Sequence, residues 1–132
     1  MKGYLINIEK VTLENADYRR VLYTGKNSQL VLMALQAGEE IGEEVHHLDQ
    51  FIRCEEGEGK VILDGVEHVF RADDAVVIPQ GTRHNVINTG AVPFKLYTVY
   101  SPPEHKDRTV HRTKAAEREE HFDGVTTEEP IA

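Results

Sequence analysis

The sequence predicts an all-β fold, a single barrel or jelly roll. Three observations carry that expectation. From residue 20 to residue 100 the chain divides into eight or nine short β-type runs with no helical periodicity. Turn residues (Gly, Pro, Asn, Asp) separate the runs at near-regular spacing, as in sandwiches, jelly rolls and barrels. Two polar clusters lie among the runs: Glu44-Val45-His46-His47-Leu48-Asp49-Gln50, and Pro79-Gln80-Gly81-Thr82-Arg83-His84. If the runs are strands of one barrel, the two clusters can meet inside it.

In order along the chain, Tyr4, Leu5, Ile6 and Ile8 are read as an edge strand and Asn15-Ala16-Asp17-Tyr18 as a turn. Residues 20–24 form a short β run closed by Gly25-Lys26-Asn27-Ser28. Residues 29–35 are apolar on both faces, as a buried strand is, and too few for a helix. Residues 50–55, 60–63 and 66–70 follow, the last two joined by Asp64-Gly65. That pair predicts a hairpin, because a two-residue type I′ turn needs positive φ at both positions. Residues 75–78 are a strand stopped by Pro79, and residues 84–88 and 94–100 complete the set.

After Ser101-Pro102-Pro103 the composition changes. Residues 1–103 are read as the barrel and 104–132 as a charged extension that packs on it or on a partner subunit. Within the extension only Val110, Phe122, Val125 and Ile131 are large and apolar. Residues 113–121 suit a short helix with Thr113 as N-cap, and the chain from Thr126 onward is expected to fray.

Composition narrows the function. The 132 residues suit one soluble domain, 39% hydrophobic and 29% charged. No apolar run approaches the ~20 residues of a membrane span. A formal net charge of -8 argues against nucleic acid or an anionic membrane as partner. The single cysteine, Cys54, allows no internal disulfide and is expected in the core. With no apolar leader in the first residues, a cytoplasmic location is expected.

Residues two apart on a strand share a face, so Glu44 and His46 point one way and Val45 and His47 the other. His84 and Asn88 also share a face. Imidazole and carboxylate donors from neighbouring strands are the usual set for Zn, Mn or Fe.

The spacing of these residues resembles the cupin family. Its first motif is matched by Gly38, Glu44, His46, Gln50 and Gly57, and its second by Asp73, Pro79, Gly81, His84 and Asn88. The resemblance covers roughly residues 30–100 and implies a double-stranded β-helix, a jelly-roll barrel with one divalent metal inside. Three positions depart from the pattern: Glu44 replaces a histidine, Gln50 the glutamate and Asp73 a glycine. The implied metal ligands are therefore Glu44, His46, Gln50 and His84. They keep one carboxylate among four donors and exchange an imidazole for an amide, which favours Mn, Fe or Zn.

The alternative is a metal-free interior, with His46 and His84 as satisfied buried histidines bridged by Gln50. Arg53 and Arg83 are assigned to ion pairs, and His47 and His68 to positions away from the site. His105, His111 and His121 are assigned to solvent. No second carboxylate is expected beside the site. The function implied is a metal-dependent reaction on a small molecule, oxygenase-like or isomerase-like. The competing function is a non-catalytic small-ligand module, possibly metal-free. The resemblance also implies a homodimer.

Overall fold

The computed structural model describes residues 2–128. The eight runs are strands: β1 (Arg19–Thr24), β2 (Gln29–Leu35), β3 (Asp49–Glu56), β4 (Glu58–Leu63), β5 (Val66–Arg71), β6 (Ala75–Ile78), β7 (His84–Asn88) and β8 (Phe94–Ser101). A ninth, β9 (Val110–His111), comes from the charged extension. All pairs are antiparallel, in a six-stranded sheet ordered β6-β3-β8-β2-β1-β9 and a three-stranded sheet ordered β5-β4-β7. Isolated bridges from Glu40 to Ile87 and from Glu44 to His84 tie the segment before β3 to the free edge of β7. The fold is a jelly-roll barrel. Among the described residues no helix is long and apolar enough to cross a membrane.

Strand alternation fills the barrel. On β3, Gln50, Ile52 and Cys54 point inward; on β8, Phe94, Leu96, Thr98 and Tyr100 do. All of these but Gln50 and Thr98 pack with Val31, Met33, Leu35, Val61, Phe70, Ile78 and Val86 in one cluster. Cys54 is sealed in it, and burial pushes its thiol up to about 12, so it is an inert core residue. Asn88, inward-facing on β7, is spent on the backbone. Its amide donates to the Leu35 and Val92 carbonyls, and its Oδ1 accepts from Gly90 N–H.

The turns follow their residues. Asp64 and Gly65 have φ of 47° and 82°, the double positive that a type I′ hairpin demands. Asp73 has φ 76°, so aspartate holds the left-handed turn where the motif has glycine. Its carboxylate also accepts from Arg53 at 3.1 Å.

Three expectations fail. The first residues form no edge strand; Ile8–Glu14 is a helix, α1, capped by Asn7, whose Oδ1 accepts from Lys10 N–H. The edge of β1 that such a strand would have used is taken by β9, where Arg19 pairs with His111 and Arg20 with Val110. The helix expected over 113–121 is a single 3-10 turn, Lys114–Ala116, with Thr113 as its cap. Beyond it Glu117 is extended, and its carboxylate reaches Arg19, so a tertiary ion pair overrides helix propensity. Nor are residues 126–128 frayed. Thr127 donates its N–H to the Thr24 carbonyl at 2.9 Å, and its hydroxyl accepts from Thr24 N–H at 2.7 Å. Ile131 lies outside the described residues.

Candidate functional site

Glu44 and His84 are brought together by the backbone. They exchange two hydrogen bonds, Glu44 N–H to His84 O at 2.8 Å and His84 N–H to Glu44 O at 2.9 Å. Directly opposed residues of an antiparallel pair share a face. His46 lies two residues on, its carbonyl held by Gly81 N–H at 3.0 Å. One donor atom from each of Glu44, His46 and His84 falls within 4.8 Å of the others. Ligands bound tetrahedrally to one ion at about 2.0–2.2 Å lie about 3.5 Å apart, and His46 Nε2 already stands 3.7 Å from Glu44 Oε2.

The hydrogen bonds fix which atoms face the interior. His84 Nδ1 lies 2.9 Å from the Thr82 carbonyl. A carbonyl only accepts, so Nδ1 carries the proton and Nε2 keeps a bare lone pair. That Nε2 is buried without a partner. Burial, together with the neighbouring His46, holds His84 below the ordinary histidine value, against the pull of the Thr82 bond.

Gln50 is fixed in the same way. Thr98 gives its hydroxyl proton to the Phe51 carbonyl at 2.8 Å, so its Oγ1 accepts from Gln50 Nε2 at 3.1 Å. Gln50 Oε1 then remains, buried and unpartnered. The interior therefore holds two bare acceptors from residues 96% or more buried. Acceptors cannot satisfy one another, so each calls for a donor or a cation. Glu44, His46 and His84 together could hold a metal ion, through one oxygen and two nitrogens.

His46 stands between two carboxylates. Its Nδ1 lies 3.1 Å from Glu104 Oε2, and its Nε2 lies 3.7 Å from Glu44 Oε2. Burial opposes its charged form, but the bond to Glu104 and the charges of both glutamates hold its pKa above the ordinary value. Burial likewise raises Glu44, against the opposing charges of His46 and Arg19. Glu104 is desolvated too, yet its bonds to His46 and His121 bring it below the usual carboxylate range.

Glu104 is the residue that sequence reasoning missed, and it corrects the expectation of no second carboxylate. Its other oxygen, Oε1, accepts from His121 Nδ1 at 2.9 Å. The available signal was Pro102-Pro103, which turns the chain sharply at the end of β8 and returns it across the barrel mouth. The same return overturns the solvent assignment of His105 and His111. His111 is buried against Arg19, and His105 Nε2 lies 3.4 Å from the Tyr100 hydroxyl. Burial, followed by the charge of Arg19, drives His105 down to about 3.

The remaining polar residues lie elsewhere. His47 and His68 are exposed. Arg53 pairs with Glu55 and Asp73, and Arg83 lies 3.7 Å from Glu43. These ion pairs account for both arginines.

Comparison with known proteins agrees with the fold. The family model described as a cupin domain matches residues 31–100. A crystal structure of BH2720 from Bacillus halodurans is 47% identical, with a TM-score of 0.85 over 87% of this chain and 92% of that one. The uncharacterized protein YrkC of Bacillus subtilis (strain 168) is 47% identical over 86% of this chain. The uncharacterized protein L612 of Acanthamoeba polyphaga mimivirus is 43% identical over 77% of this chain. This chain spans 65% of the length of YrkC and 67% of that of L612.

Proposed function

The chain belongs to the cupin-domain family, and from that premise we propose that it handles a small molecule at a divalent metal held by Glu44, His46, Gln50 and His84. The observation that carries this reading is His84 Nε2, buried and unpartnered, with the ring's proton held on Nδ1 by the Thr82 carbonyl. A histidine whose far nitrogen is anchored on a carbonyl is the usual form of a metal-bound imidazole. Mn, Fe or Zn suits two oxygen and two nitrogen donors. The metal would supply Lewis-acid polarisation of a bound oxygen, or redox chemistry if it is Fe or Mn.

The protein's own part is orientation. Glu104 fixes the His46 ring through Nδ1, and Thr98 fixes the Gln50 amide. Oxygenase-like and isomerase-like reactions both use such a site, and the reading commits to neither. A homodimer belongs to the same proposal, supported by the exposed apolar side chains of Tyr4 and Leu5 near the N-terminus.

Elemental analysis after exposure to Mn, Fe and Zn tests the metal site. Wild type is expected to retain one of them in stoichiometric amount, and His84→Ala to lose most of it. A wild type that retains none sinks the metal reading and leaves the metal-free ligand module. Full retention by His84→Ala shows the ligand set to be wrong.

A further inference from the structure

Arg19 opens β1 and is only 4% exposed. A buried guanidinium is costly unless its donors are paired. One side of Arg19 is: Nη1 donates to Glu117 Oε2 at 2.5 Å and to His111 Nδ1 at 3.1 Å. The other side is not. Nε is buried without a partner. Nη2 makes no hydrogen bond among the described residues. Nε–H and Nη2–H together form the side-on edge of the guanidinium, which takes a carboxylate through two parallel bonds.

Arg19 also lines a cavity of about 270 Å³ with Glu44, Glu104, His105 and Glu117, and the exposed residues 118–121 complete its outer wall. The cavity thus spans from the unpaired arginine to the carboxylate of the Glu44–His46–His84 cluster. It is smaller than the ~300–1,000 Å³ of sites for drug-sized ligands, which limits the occupant to a small molecule. Its acidic walls do not call for a cation as that occupant. Glu117 is paired with Arg19, Glu104 with His46 and His121, and Glu44 stands beside His46. Glu119 and Glu120 stand in solvent at the outer wall, so the group left unsatisfied in the buried part of the cavity is a positive fork.

We propose that Arg19 anchors the ligand of this cavity, a small organic acid whose carboxylate lies side-on against Nε and Nη2. The other end of the acid reaches the Glu44–His46–His84 cluster. Only that second end rests on the metal reading; the anchor depends on Arg19 alone. Glu117 is a tethered competitor for the same cation, held by a half-exposed side chain of the extension.

Isothermal titration of EDTA-treated protein with malonate, and with uncharged malonamide as control, tests the anchor without any metal. Malonate is expected to bind saturably and malonamide not at all. Arg19→Lys keeps the charge but loses the fork, and is expected to weaken malonate binding by about tenfold or more. Glu117→Gln removes the competitor and is expected to tighten binding by about threefold. Three results overturn the proposal: no saturable malonate binding, equal binding of malonamide, or wild-type affinity in Arg19→Lys. Should Arg19→Lys fail to fold, Glu117→Gln decides, since unchanged or weaker binding there also overturns it.

Discussion

One carboxylate, Glu104, holds two imidazoles, His46 at 3.1 Å and His121 at 2.9 Å. A glutamine at this position has one oxygen to offer and would turn an N–H toward the second ring. Glu104→Gln is therefore expected to lower metal affinity by about 10–100-fold, the usual cost of losing the group that orients a ligating histidine. Competition against a chromophoric chelator measures it, and unchanged affinity would reduce Glu104 to a tie for the extension. At this scale the sequence was readable wherever side chains follow strand alternation. Glu44, His46 and His84 come together, and Gln50 is buried on its strand, as their spacing suggests. Glu104 and Arg19 were not readable. Glu104 arrives on a return of the chain over the mouth, and Arg19 is buried because β9 and Glu117 from that return cover β1; local pattern carries no record of that path.

β4 shows how closely the elements are fitted. Gly59 lies between Phe70 of β5 and Asn88 of β7. A Cβ there would stand 2.2 Å from the Ile87 carbonyl oxygen and 2.7 Å from the Phe94 ring. Backbone has no rotamer with which to move aside. Gly59→Ala is expected to cost about 3 kcal/mol, the upper end for overpacking, in urea-induced unfolding. Because β7 begins at His84, the same variant is expected to weaken metal retention; a cost below about 1 kcal/mol would mean the two strands slide freely. The hairpin of β4 and β5 was legible because Asp64-Gly65 admits almost one geometry. The N-terminal helix was misread although its signal was present: Asn7 stands as a cap before Ile8, Val11 and Thr12 at helical spacing. Alternation over Tyr4, Leu5, Ile6 and Ile8 competes with that cap in so short a stretch, and the helix prevails.

For the whole molecule, His105 sets a dependence on pH. Partly buried, with the Tyr100 hydroxyl 3.4 Å from Nε2 and the charges of Arg19, Glu104, His111 and His46 acting on it, it stays neutral down to about 3, against 6.5 for a free histidine. The unfolded chain thus binds a proton that the folded chain refuses between those values. Stability from this group is complete above about pH 6.5 and declines as pH falls toward 3, by at most about 1.4 kcal/mol per pH unit. His46 and Glu44, whose pKa values are raised, act in the opposite sense. The difference between wild type and His105→Gln isolates the term: the variant is expected to lose less stability between pH 6.5 and 4 in urea titrations. Equal slopes would mean that His105 is free to charge in the folded state.

The extension has one more consequence. By lying along β1, with the Thr109 carbonyl accepting from Val21 N–H and Thr127 paired to Thr24, it leaves that strand few open hydrogen-bonding groups. A chain ending at Pro103 would present Arg19–Thr24 as a bare ladder carrying Val21, Leu22 and Tyr23, ready to pair with the same strand of another molecule. The segment that carries Glu104 to the site is thereby also what keeps this barrel from aggregating through its edge.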